Sequence, residues 1–451
     1  MNDTLTLNSA GQPVSGEIRI SGFKHALVLA VAYAIGTGRV LRLGNVPDIL
    51  ETAVYLRLLP DIGVQACYSD GTLSIDATGP VLSTLPPSSE QIHGSLYLLP
   101  ALLARNGYVR FTDFGGCRIG DGGGRARPWR HVTRIAELFG GRFTSGGGTA
   151  MLRADQLRGT EVDLRDFTTD PVTLAGPEYT GAAKAAILTA ALASGDSVLR
   201  YPYLKLEVLA LLDLLREAGV GIDVHGDTAE IRGTGGRLGG SHAAVLPADL
   251  MEVVTWTTIA VTTGGSVDLT GVRDEEINAG LGAERELWRS AGVELTAVEN
   301  GVRVTGPPRG EFGKLPPIEA APTSIYSDSQ PLFTVLATCC AGQTHIVDGV
   351  WSSRYAHVDG LVRLGARIEQ QESGILIKQS ELRAPVAGVD VVASDLRCAA
   401  ALLSAGLIAP GGPVTIHGID YLYRGYEGII GKLVACHPAS DIWTLPPEPR
   451  R

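Results

Sequence analysis

The chain has 451 residues and a formal net charge of −10, with 45% hydrophobic and 19% charged residues. That length favours two large domains or a repeat architecture over one compact domain, and the composition excludes an intrinsically disordered chain. The acidic balance argues against a general nucleic-acid binder, because a phosphate backbone needs a broad positive field. It leaves room for small anions held by locally clustered arginines.

No apolar run reaches the roughly 18 residues that a membrane span needs. The opening residues, MNDTLTLNSAGQPVSG, hold no basic n-region and no apolar h-region, so a cytoplasmic protein is expected. The six cysteines (Cys67, Cys117, Cys339, Cys340, Cys398 and Cys436) form no C-x-x-C pair and no metal spacing with histidine. Free thiols are therefore expected. Cys339, Cys340, Cys398 and Cys436 sit in apolar stretches and read as small core residues. Cys117 differs, because its neighbours are Gly115, Gly116 and Arg118.

In chain order, two short strands come first, TLTLN and GEIRISG, with no helix of their own. An apolar, Ala-rich helix follows, KHALVLAVAYAIGTG. Then a unit recurs: a Gly-bounded turn, a β-rich run, a loop, and an amphipathic helix ending at Gly. Copies begin at Gly38, Gly107, Gly195, Gly265, Gly342 and Gly412, about 70 to 90 residues apart. Within a copy the hydrophobic period changes from 2 to about 3.6. VLRLGNV and SVDLTGV alternate as half-buried strands do. LEVLALLDLLREAG puts Val208, Leu211, Leu212 and Leu215 on one face, and Gly219 ends the helix as a C′ residue would. Further apolar helices, AAKAAILTAALASG and LMEVVTWTTIAVTTGG, lie between copies.

Six copies imply two pseudo-symmetric halves of three. The leading strands are expected to pair with the end of the chain. That places a double crossover near Gly22 and near 235–242. One domain then comprises 1–22 plus 242–451 and carries Asp328, Arg354, Arg397 and Arg424. The other, 23–241, carries Lys24 and the Cys117 loop. A ligand site is expected in the cleft between them.

The charged residues at strand-to-helix loops are Lys24, Cys117 and Arg127, Asp328, Arg354, Asp395 with Arg397, and Arg424. Most precede a helix, whose free N–H groups attract anions. Any one of them reads equally as a cap or a surface ion pair, and Asp395 and Asp328 each fit an N-cap. Recurrence gives the arginines more weight. Arg354, Arg397 and Arg424 occupy equivalent junctions in successive copies. Guanidiniums gathered in one place require an anion, and Arg clamps carboxylate or phosphate with paired hydrogen bonds. Cys117 reads as an idle loop thiol or as a thiol activated by Arg118, Arg125 and Arg127.

GEIRISGFKHA, GGCRIG…RARP, SDSQPLF, SSRYAHV, SDLRCAAALLSAG and DYLYRGYEGI resemble the enolpyruvyltransferase family over nearly the whole chain, and within it the UDP-N-acetylglucosamine 1-carboxyvinyltransferase branch. The resemblance implies an inside-out α/β barrel of two domains, each of three βαβαββ-like repeats. It implies transfer of the enolpyruvyl group of phosphoenolpyruvate to an alcohol, with release of phosphate and no metal or cofactor. Residue by residue, it implies that Lys24 and Arg127 hold the phosphate of phosphoenolpyruvate. Arg354 and Arg397 would hold its carboxylate region, with Arg424 nearby. Cys117 would be the lid-loop acid or nucleophile, Asp328 the base for the acceptor hydroxyl, and Asp395 a supporting acid.

The departures lie on the acceptor side. His25 stands where the family has Asn, and His93 where it has Arg. DGGGR (121–125) is an insertion in the Cys loop. The segment 166–181, ending at Tyr179, Thr180 and Gly181, is enlarged. His25, His93, Arg125, Tyr179, Thr180 and Gly181 are thus the candidate acceptor residues beside Asp328. They suggest a changed acceptor, a uridine nucleotide lacking the hexosamine. The branch making 3′-enolpyruvyl-UMP for nikkomycin- and polyoxin-type peptidyl nucleosides has such an acceptor. The alternatives are the UDP-N-acetylglucosamine enzyme of peptidoglycan synthesis and an inactive nucleotide- or RNA-binding relative. No nucleic-acid or membrane partner is expected.

Overall fold

The structure, a computed structural model, describes residues 4–8, 11–116, 119, 128–236, 238, 240–437 and 442–443. Cys117, Arg125 and Arg127 lie outside the described residues. The chain is a mixed α/β protein that divides into two compact units, changing over between Ser21 and Gly22 and between Pro247 and Ala248.

Each unit is built on three helices that have no solvent-facing stripe. In the Gly22–Pro247 unit they are Lys24–Thr37, Leu98–Asn106 and Tyr179–Leu192, which pack against one another. In the other they are Leu250–Thr263, Gln330–Cys339 and Leu396–Ile408, again mutually packed. Every residue of Leu250–Thr263 and of Leu396–Ile408 is buried. A helix apolar all round has no alternative to the interior. Several buried threonines satisfy their hydroxyls locally: Thr255 donates to Met251 O at 2.9 Å and Thr263 to Ile259 O at 2.8 Å, whereas Thr257 Oγ1 is buried without a hydrogen-bond partner. Ala and Gly let the axes come close. A Cβ on Gly36 would lie 2.6 Å from Leu192 Cδ1 and 3.3 Å from the Ala101 Cα, so all three helices of that unit meet at this glycine.

The outer helices are amphipathic. In Leu206–Glu217, Val208, Leu211, Leu212 and Leu215 are buried, and Gly219 follows with φ +92°, a conformation that favours glycine. Among the described residues the strands form five four-stranded sheets and one three-stranded sheet, each open. The four-stranded sheets share one plan. In the sheet of Val40–Gly44, that strand lies parallel to Ser241–Val245 and antiparallel to Thr72–Asp76, which forms a hairpin with Gln65–Ser69. On Tyr108–Phe111 the parallel edge shrinks to a single Thr84–Arg110 bridge, leaving three strands.

Thr4–Leu7 pairs with Val414–His417 and with Ile442–Trp443, so the first strand does join the end of the chain. The second does not. Gly16–Arg19 runs parallel to Ser266–Thr270 and fills the parallel edge of that sheet. The two leading strands thus complete two different sheets. Cys340, Cys398 and Cys436 are buried as expected, whereas Cys339 is half-buried. No described helix is long and apolar enough to cross a membrane.

Because no open space surrounds Gly36, Gly36→Val should destabilise the fold by about 1–3 kcal/mol through overpacking. Urea unfolding at neutral pH measures this, and an unchanged midpoint would show that the three helices do not meet there.

Candidate active site

In the Ala248–Arg451 unit the starts of the three core helices converge. Ser329 Oγ lies 3.8 Å from Met251 Sδ, and Asp249 and Asp395 cap the first turns of their helices through backbone N–H groups. Positive helix-end partial charge therefore gathers at this end of the unit. Two guanidiniums stand here. The side chains of Arg354 and Arg397 are only 4% and 3% exposed.

The carboxylate of Asp328 lies between them. Arg354 Nη1 donates to Oδ1 at 2.7 Å, while Arg397 Nε donates to Oδ2 at 3.0 Å and its Nη2 lies 2.9 Å from the same oxygen. Asp328 thus supplies the anion that the clustered arginines require, and it does so from just before Gln330–Cys339 rather than as that helix's cap. Asp395 is an N-cap, and its Oδ1 lies 3.8 Å from Arg354 Nη2.

Burial alone would lower the pKa of both arginines, but neighbouring groups reverse this. Tyr426, Asp328 and Asp249 hold Arg397 up, and Asp328, Asp395 and Asp348 hold Arg354 up. Each guanidinium also meets a hydroxyl. Arg397 Nη1 donates to Tyr426 OH at 2.8 Å, and that hydroxyl lies 2.7 Å from Thr255 Oγ1. Arg354 Nη1 donates to Ser327 Oγ at 3.0 Å. Arg424 ends the short Ile419–Arg424 helical turn, two residues before Tyr426. Burial drives His357, at the start of His357–Arg363, down to about 4, so it is neutral near pH 7.

The Gly22–Pro247 unit carries ion pairs on two of its core helices. Lys24, the first residue of its helix, donates to Glu51 Oε1 at 3.3 Å. Lys184 Nζ lies 2.9 Å from Glu207 Oε1 and 5.3 Å from the centre of the Tyr203 ring. Burial would raise Glu207, but Lys184 and then His25 overcome it and bring it to about 2. His25 stacks on Phe23 with ring centres 5.2 Å apart. Tyr179 is buried, and its hydroxyl donates to Tyr201 O at 2.7 Å. Thr180 is half-buried beside it. Gly181 faces the buried His131, whose Nε2 would lie 2.1 Å from an added Cβ.

Both flanks of the Cys117 loop are fixed. A Cβ on Gly115 would lie 1.7 Å from Glu90 O, and one on Gly116, at φ +106°, would lie 2.8 Å from His93 Cβ. Glycine is therefore required at both positions. On the far side Trp129 packs edge-on against Phe111, with ring centres 5.3 Å apart, and against Phe143 at 5.9 Å. Half-buried His93 thus lies against the residue before Cys117.

Sequence reasoning missed Lys184, Glu207, Glu51, Glu252, Glu284, Ser327, Asp348 and Tyr426. Two of the acids did leave a signal: Glu207 and Glu252 are charges set in the apolar segments LEVLALL and LMEVVTW. Such a residue cannot be buried without a partner. Glu252 accepts from Ser21 N, Ser21 Oγ and Trp256 Nε1 and pairs with Lys432. Glu284 accepts from Tyr326 N and Ser329 Oγ.

Two buried guanidiniums around one carboxylate, set in a mixed α/β fold, make an arrangement able to hold a small anion. Residues 9–433 match the family described as EPSP synthase (3-phosphoshikimate 1-carboxyvinyltransferase). The UDP-N-acetylglucosamine 1-carboxyvinyltransferase of Methylorubrum extorquens is 30% identical over 443 residues, covering 95% of this chain and 96% of that protein. Its counterpart from Nitrobacter winogradskyi is 32% identical over 440 residues, covering 94% and 96%. Among solved structures, the enolpyruvyl transferase NikO from Streptomyces tendae superposes with a TM-score of 0.87 at 33% identity, covering 97% of this chain and 98% of that one. EPSP synthase from Acinetobacter baumannii, with a TM-score of 0.67 and 20% identity over 96% and 98%, shares the fold. The chain belongs to the EPSP synthase family of enolpyruvyl transferases and is a carboxyvinyl transferase.

The Lys184–Glu207 pair gives a stability prediction. The folded pKa of Glu207, about 2, lies below its ordinary 4.5. Its contribution is therefore complete above pH 4.5 and is lost as pH falls toward 2. Glu207→Gln, which leaves Lys184 buried without a counter-charge, should cost about 3–5 kcal/mol at pH 7. Urea midpoints at pH 7 and pH 4 should show the deficit narrowing on the acid side; a deficit that is absent or widens would refute the pairing.

Proposed function

We propose that this enzyme transfers the enolpyruvyl group of phosphoenolpyruvate to the 3′-OH of UMP, in the manner of peptidyl-nucleoside antibiotic biosynthesis. The observation that carries the transfer is Asp328 seated between Arg354 and Arg397. The likeness to NikO supports the nucleotide branch, as do the departures at His25, His93, 121–125 and 166–181. The 1-carboxyvinyltransferase relatives at 30–32% identity favour UDP-N-acetylglucosamine as the second reading. We infer also that six recurring units form an inside-out α/β barrel of two domains, a reading supported by the shared sheet plan around helical interiors, and that the protein works in the cytoplasm.

In this reading Lys24 and Arg127 bind the phosphate of phosphoenolpyruvate. Arg354, Arg397 and Arg424 bind its carboxylate region. His25, His93, Arg125, Tyr179, Thr180 and Gly181 face the acceptor. Cys117 protonates C3, which leaves an oxocarbenium-like centre at C2. The acceptor hydroxyl adds there as Asp328 takes its proton, and the tetrahedral adduct then returns a C3 proton to the Cys117 thiolate and expels phosphate, which re-forms the vinyl group. Fixed positive charge stabilises the anionic groups throughout. The incoming carboxylate competes with Asp328 for the same guanidiniums. Binding it loosens the aspartate's grip on them and frees an oxygen for the acceptor proton.

Phosphate release from phosphoenolpyruvate should occur with UMP and not with UDP-N-acetylglucosamine; release with the sugar nucleotide alone would overturn the acceptor. Asp328→Asn should lower kcat by about 100- to 10,000-fold, and its thermal midpoint should fall too, because the amide no longer balances the buried Arg354 and Arg397. Near-normal turnover would remove Asp328 as the base.

A further inference from the structure

We propose that Asp348, acting through Ser327, is a positioning residue that holds Arg354 onto the Asp328 carboxylate. Its catalytic consequence rests on the enolpyruvyl-transfer reading; its geometric content does not.

The argument follows from one proton. A serine hydroxyl has a single hydrogen to donate. Ser327 gives it to Asp348 Oδ2 at 2.6 Å, so only lone pairs remain to face Arg354. Arg354 Nη1 then spends one hydrogen on Ser327 Oγ at 3.0 Å and the other on Asp328 Oδ1 at 2.7 Å. Its Nε is buried without a hydrogen-bond partner, and its Nη2 stands 3.8 Å from Asp395, beyond hydrogen-bond reach. One nitrogen therefore aims the whole guanidinium, and half of its hold is Ser327.

Asp348 is itself fixed. It is 2% exposed and ends the strand Gln343–Asp348. Its Oδ1 accepts from Val350 N at 3.0 Å and Trp351 N at 2.8 Å, and its own N–H donates to Tyr355 OH at 2.8 Å. One carboxylate oxygen thus shapes the turn that leads to Arg354. The other sets the direction of the Ser327 hydrogen bond.

Asparagine separates these two duties. In Asp348→Asn the carbonyl oxygen can still accept from Val350 and Trp351. The amide nitrogen then replaces Oδ2 and must donate to Ser327. The serine proton then loses its acceptor, the hydroxyl is free to turn about Cβ–Oγ, and no lone pair is held toward Arg354. A residue that served the turn alone would tolerate the change.

The test combines kinetics and crystallography on Ser327→Ala, Asp348→Asn and the double variant. Kinetics use phosphoenolpyruvate with whichever of UMP or UDP-N-acetylglucosamine the unaltered enzyme turns over. Each single variant should lose about 10- to 100-fold in kcat/KM for phosphoenolpyruvate, the scale of one hydrogen bond to a charged group. The acceptor KM and thermal midpoint should stay near their starting values. The double variant should be no worse than Asp348→Asn alone, because the two residues act in series. In the Asp348→Asn crystal structure Arg354 should have lost its bond to Ser327, with Nη1 displaced on the Asp328 carboxylate. Losses that multiply in the double variant, or an Arg354 that keeps both bonds in Asp348→Asn, would overturn the proposal. An unaltered enzyme that turns over neither acceptor would sink the functional reading instead, and the crystal structure would still decide this one.

Discussion

Two guanidiniums buried side by side, with one carboxylate between them, set the terms for the surrounding structure. Arg354 and Arg397 repel each other in a place where water cannot screen them. Asp328 balances that repulsion by giving one oxygen to each. Each guanidinium also bonds a hydroxyl, Ser327 for Arg354 and Tyr426 for Arg397. Tyr426 in turn is held by Thr255, a residue of the all-buried Leu250–Thr263 helix. The rigidity of the dry core thereby reaches the charged site through a chain of short hydrogen bonds.

The same rule governs the other unit. There the core helices carry the cations, Lys24 and Lys184, and the outer helices Leu50–Asp61 and Leu206–Glu217 carry the acids Glu51 and Glu207. In the Ala248–Arg451 unit the core helices carry Glu252 and Arg397, and their partners Lys432 and Asp328 come from outside them. Charge placed near the start of a dry helix is affordable only with a partner at hand.

Much of this could be read before the structure. The six charged loops were visible because strand, loop and helix recur at a steady interval, so Arg354 and Arg397 fell at matching places. The pairing of TLTL with the last strands was visible because neither end had a complete unit of its own. What stayed hidden depends on contacts that leave no periodic trace. Ser327 and Asp348 are 21 residues apart, and nothing in SDSQPLF or HIVDGV marks them as partners. Tyr426 sits 29 residues from Arg397 in a tyrosine-rich run where any ring would have fitted. The parallel partner of GEIR lies about 250 residues away, and alternation alone cannot choose among strands. Lys184 was legible in principle: a single lysine in AAKAAILTAALA has nowhere to go unless an acid meets it.

The glycine loop around Cys117 is held at both ends. Gly115 and Gly116 fit against Glu90 and His93 with no space for a side chain, and Thr112 bonds Glu90 just before them. On the other side Trp129 is wedged among Phe111, Phe114 and Phe143. Phe111 and Phe114 precede the loop and Trp129 follows it, so one aromatic group fastens both of its ends.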